Sequence, residues 1–249
     1  RDAFMLTQVE SRLVNRVLYH DWFPQIYLDM HQMGNRHARL WVPPFYDPIN
    51  PNVDPTIIRE VSLMGQAIAT DLQAEGKRGI LNDAIFTAWW QGAFLQTAWW
   101  HNVVGLLTEL ASVRIASPVF QTKRDLKAGT KGLQEYRPQV NFPDPWPGGW
   151  WRLRDIVEYD LSAAFSVLRT ASRRRKEFLL NMYRAARRAI ERGREEPPYA
   201  YVIPPEQHDP LEAADMVRIL MLGGVKVHVA EAPFEADGIE YPAGTFVVL

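Results

Sequence analysis

The strongest constraint on this chain is a pair of short apolar runs, Ile26-Tyr27-Leu28-Asp29-Met30 and Asn102 to Ala111, each preceded by residues with helical spacing. Runs of this length bounded by turn signals predict strands buried on both faces, so helix followed by strand predicts an α/β fold. Each run also delivers a group that hydrocarbon surroundings penalise. His31 follows the first, where a turn through Gln32-Met33-Gly34 is expected, and Glu109 lies inside the second, flanked by leucines with no basic residue until Arg114. A strand histidine is usually a hydrogen-bonded core residue. One placed where the chain breaks into a turn at a strand end, the place where open α/β sheets collect functional groups, is a candidate for chemistry.

Between and around these runs the pattern is regular. Met5, Val9, Leu13 and Val17 predict a first helix ending near His20 to Pro24, and a proline-rich loop follows over 42–55. Asp54 caps the next helix, with Pro55 in its first turn and Ile57, Val61, Met64, Ile68 and Leu72 as its buried stripe up to Gly76. Further helix is expected over 83–97 and from Asp155 to about Gly193, the latter with Arg173, Arg174 and Arg175 on its solvated side. The segment 141–151, rich in Pro, Trp and Gly, reads as irregular aromatic surface. After Arg194 to Pro198, strand 199–203, helix 210–222 and strand 225–230 predict a β-α-β unit. The expected domains are therefore 1–195 and 196–249, the second an incomplete α/β domain.

Composition narrows the partners. The 28 Lys and Arg against 29 Asp and Glu leave a net charge of -1, so no overall field recruits nucleic acid. No apolar stretch is long enough to span a membrane, and the absence of cysteine removes disulfides, thiolate ligands and a cysteine nucleophile.

Three stretches together, Arg1-Asp2, Tyr27-Leu28-Asp29-Met30-His31-Gln32-Met33-Gly34 and Gly105-Leu106-Leu107-Thr108-Glu109, resemble the later half of the carboxypeptidase A-like zinc metallopeptidases, over roughly residues 1–115. Residues 199–249 resemble the start of the glutamine-amidotransferase-like domain appended in some bacterial members. The resemblance implies a mixed central sheet flanked by helices and hydrolysis of C-terminal peptide bonds by zinc-activated water. It assigns His31 as a zinc ligand, Glu109 as the general base and Arg1 as the anchor for a substrate carboxylate. The implied cofactor is one zinc ion and the implied partner a peptide with a free C-terminus. A secreted or cell-envelope location follows from the same likeness.

The family's His-x-x-Glu zinc pair does not precede His31. The two remaining ligands are therefore expected upstream of this chain, which by itself is expected to have little activity. His228-Val-Ala-Glu231 has the spacing, but on a strand residues three apart face opposite sides, so it reads as a decoy. His20, His37, His101 and His208 form no metal-ligand spacing. Two other readings stay open: a zinc amide deacylase acting on N-acyl amino acids, and a non-catalytic peptide- or carbohydrate-binding relative whose Trp89-Trp90, Trp99-Trp100 and Trp146 to Trp151 line a cleft.

Overall fold

A computed structural model of the protein describes residues 2–249. The chain forms two compact units, one built from residues 25–182 and the other from the segment ending at Pro24 together with residues 183–249.

The first unit is organised around a four-stranded mixed sheet of β1 (Ile26–Met33), β2 (Leu40–Trp41), β3 (Ile80–Leu81) and β4 (Val104–Ala111), in the order β1-β4-β2-β3. β1 runs parallel to β4 and β2 runs antiparallel to it, so the expected α/β class with a mixed sheet is present. Every residue of β4 is buried, which is why this segment reads as a continuous apolar run instead of an alternating one. Two indoles bracket the strand. Trp99 Nε1 donates to the Gly105 carbonyl at 2.9 Å and Trp151 Nε1 to the Ala111 carbonyl at 2.7 Å.

Helix α2 (Pro55–Ala74) packs on β4 as its pattern requires. The Asp54 side chain accepts from the Thr56 N–H at 2.8 Å, Pro55 occupies the first turn, and the five stripe residues are essentially inaccessible to water. Burying each such aliphatic side chain contributes about 2 kcal/mol. Within the helix, Gly65 lies directly beneath Pro43 of the proline-rich loop, where a Cβ would overlap the Pro43 carbonyl.

Two helical expectations are corrected. Only α3 (Phe94–Trp100) forms in the 83–97 region, because the buried Gln96 amide takes the Trp90 N–H (2.8 Å) and the Thr87 carbonyl (3.1 Å), giving the preceding backbone a non-helical set of partners. The stretch expected as one helix from Asp155 is two, α4 (Leu153–Arg173) and α5 (Arg175–Glu195). They meet at Arg174, which leaves helical geometry (φ -108°, ψ 20°) in a run of exposed residues that no burial holds straight. The boundary between the two units falls inside α5.

In the second unit, α1 (Val9–Arg16) runs into a π-helical turn over Val17–Asp21. The expected apolar stripe of this helix is exposed, at Met5, Val9, Leu13 and Val17 alike. Asn15 Nδ2 (2.6 Å) and His20 Nε2 (2.8 Å) both meet the Leu222 carbonyl at the end of α6 (Pro210–Leu222), satisfying a group that helix termini leave orphaned. The predicted β-α-β unit has its elements but not its simplest pairing. Between β7 (Tyr201–Ile203) and β8 (His228–Val229) lies β11 (Phe246–Val248), antiparallel to both. β9 (Phe234–Ala236) and β10 (Ile239–Tyr241) form a hairpin turned by Asp237-Gly238, both at positive φ as a two-residue turn demands.

Candidate functional site

The parallel register of β1 and β4 places His31 directly opposite Glu109. Directly paired residues share a face of the sheet, and so do residues two apart on one strand, so Asp29, His31 and Glu109 gather on one side. His31 does not end the strand as expected. β1 continues through Gln32 and Met33, which pair with Leu110 and Ala111, and the Met33 carbonyl is closed off by both the N–H and the hydroxyl of Ser112 at 2.9 Å.

The imidazole stands between two carboxylates, with Nε2 3.0 Å from Asp29 Oδ1 and Nδ1 3.9 Å from Glu109 Oε1. Its side chain is half exposed, whereas that of Glu109 is only 9% exposed, so the histidine meets solvent while the glutamate lies below the surface. On the other side of β4, the position paired with Glu109 is Trp41, fully buried and tied by its Nε1 to the Ala84 carbonyl at 2.7 Å. Burial drives the Glu109 carboxyl up to about 7, an effect that His31 opposes and Asp29 reinforces. Asp29 is likewise raised by burial and drawn back by its charge interaction and hydrogen bond with His31.

This arrangement provides a carboxyl that exchanges a proton near neutrality and an imidazole whose ring is oriented from one side, leaving Nδ1 facing the acid. The geometry is that of a histidine that can offer a nitrogen to a metal while a carboxylate holds its other nitrogen. Among the described residues no group of three or more His, Cys, Asp or Glu is placed to hold a metal ion, so the described side chains do not complete a zinc ligand set.

Arg1 lies outside the described residues. His37 and His101 pair through Nδ1 with the carbonyls of Lys127 and Thr97, both at 2.9 Å, and Glu231 lies beyond the end of the short strand that carries His228. Of the tryptophans offered as cleft wall, Trp99 and Trp151 are core residues, while Trp90, Trp100 and Trp150 are exposed. The aromatic segment expected at the surface in fact packs against Arg39. That fully buried guanidinium lies 4.3 Å from the Trp146 ring and 5.1 Å from the Trp151 ring, with Nη1 donating to Gln121 Oε1 and Nη2 to the Asn35 carbonyl. Sequence reasoning missed Asp29 as the partner of His31, although spacing of two on a predicted strand was the signal.

Compared with known proteins, the chain matches no family model, no curated protein and no solved structure.

Proposed function

We propose that the His31–Glu109 pair belongs to a zinc-dependent hydrolase of the carboxypeptidase type, acting on peptides with a free C-terminus. The observation carrying this reading is the oriented imidazole, held by Asp29 on one nitrogen and facing Glu109 with the other. In this reading Glu109 takes a proton from the attacking water and returns it to the leaving amine, a role suited to a carboxyl poised near neutral pH. Asp29 fixes the ring so that Nδ1 is offered as one zinc ligand. Zinc would supply a polarised water, and its other ligands would have to come from outside the described residues.

The test uses the natural protein that carries this chain, supplied with zinc and a C-terminally free N-benzoyl-dipeptide. Glu109→Gln retains zinc and loses roughly 10²- to 10⁴-fold in kcat, the range for removing a general acid–base. Equal turnover by the variant and the parent removes Glu109 from the reaction.

A further inference from the structure

β1 is the terminal strand in the order β1-β4-β2-β3, and among the described residues no strand pairs with its outer edge. The Val104 N–H donates to the Gln25 carbonyl at 3.0 Å and the Ser112 N–H to the Met33 carbonyl at 2.9 Å, so the odd-numbered residues of this stretch turn their backbone groups toward β4. Successive residues of a strand point their N–H and C=O groups to opposite sides. Ile26, Leu28, Met30 and Gln32 therefore turn theirs to the open edge.

Such an edge recruits another strand unless lysine, proline or a bulge guards it. Residues 26–33 hold neither lysine nor proline, and their pairing with β4 runs from Ile26 to Met33 without a bulge. The later part of the edge is also open on both faces, with Met30 42% exposed on one and His31 half exposed on the other.

A second copy of this edge fits it in one antiparallel register. With a two-fold axis at Met30, Leu28 lies opposite the partner's Gln32 and Met30 opposite the partner's Met30, in pairs that exchange both backbone hydrogen bonds. Asp29 then falls opposite the partner's His31, in the closer kind of pair, where opposite charges attract. Moving the axis to Asp29 or His31 sets like groups face to face. Moving it to Leu28 sets Pro24, which has no N–H, against Gln32.

We propose that the chain self-associates as a two-fold dimer through β1, antiparallel about Met30, joining the two sheets into one and placing the partner's Asp29 beside each His31. The dimer does not rest on the hydrolase reading, because backbone pairing and the attraction of Asp29 for His31 require neither metal nor substrate.

Light scattering coupled to gel filtration is expected to give twice the chain mass over a concentration series. Because the chain has no cysteine, single replacements report the register. Met30→Cys puts two thiols on the axis with Cα atoms about 5.5 Å apart, within disulfide reach, and copper–phenanthroline oxidation is expected to link them into a covalent dimer. In Gln32→Cys, at a position that is also exposed, the two Cα atoms lie on the order of 13 Å apart and the thiols are expected to stay unlinked. A monomeric mass, a dimer in which Met30→Cys does not cross-link, or cross-linking of Gln32→Cys as fast as Met30→Cys overturns the proposal.

Discussion

His31 and Glu109 face each other across a parallel strand pair, Nδ1 to Oε1 at 3.9 Å, with the imidazole open to solvent and the carboxyl almost sealed from it. The asymmetry sets the chemistry of both. The sealed group is held away from its ordinary ionisation and the open one remains available to an incoming molecule.

Stability must therefore fall as pH rises toward neutrality. Below pH 4.5 the Glu109 carboxyl is protonated both folded and unfolded. Between that value and about 7 only the unfolded chain releases the proton, so the folded state loses stability across this window. The full effect is about 3 kcal/mol. Glu109→Gln, which cannot ionise, is expected to exceed the parent by an amount of that order in denaturant unfolding at pH 8, and to match it at pH 4.

Asp29 is expected to select the imidazole tautomer. A neutral His31 with its proton on Nε2 donates to Asp29 Oδ1 at 3.0 Å and leaves Nδ1 bare. Imidazole nitrogen shifts in a ¹⁵N NMR spectrum should report mainly this tautomer at pH 8, and Asp29→Ala should return the ring to a mixture. An unchanged ring spectrum in Asp29→Ala would assign the orientation to some other group.

At Gly65 two effects compete. Alanine in a helix interior is favoured over glycine by about 1 kcal/mol. The Pro43 carbonyl occupies the space a methyl group needs, and backbone atoms yield at higher cost than that gain. Gly65→Ala is accordingly expected to destabilise the unit by about 1–3 kcal/mol, read as a lower midpoint of thermal unfolding.

Arg39 is buried with no carboxylate partner among the described residues; burial draws its pKa down to about 10, and its charge is supported by two indole faces and two acceptors. A lysine brings a more strongly hydrated ammonium and lacks the guanidinium's fork of donors for the two acceptors. Methionine carries no charge to bury. Arg39→Lys is expected to destabilise more than Arg39→Met in denaturant unfolding, and the reverse order would show that charge, not shape, holds this cluster together.

Much of this was legible from local chemistry. Asp54, Pro55 and the stripe from Ile57 to Leu72 specify α2 without help from the rest of the chain, and the unbroken apolar run around Glu109 announces a central strand. What stayed hidden depends on distant partners. The 83–97 segment has helical composition, yet a single buried side chain, Gln96, redirects its backbone bonds. The insertion of β11 between β7 and β8 is a long-range pairing that no spacing records. Trp151 looked like surface decoration, but it is buried against distant partners, Arg39 and the Ala111 carbonyl among them. The site was half readable. His31 and Glu109 each stood out, whereas their shared register and the support from Asp29 came only with the paired strands.

The ionisation of Glu109 tests the central claim most directly. In protein labelled with ¹³C at the glutamate carboxyls, the Glu109 resonance is expected to titrate with a midpoint near 7, as burial beside His31 requires. A midpoint near the ordinary 4.5 would mean that water reaches the carboxyl freely, and a proton-transferring pair at this position would be contradicted.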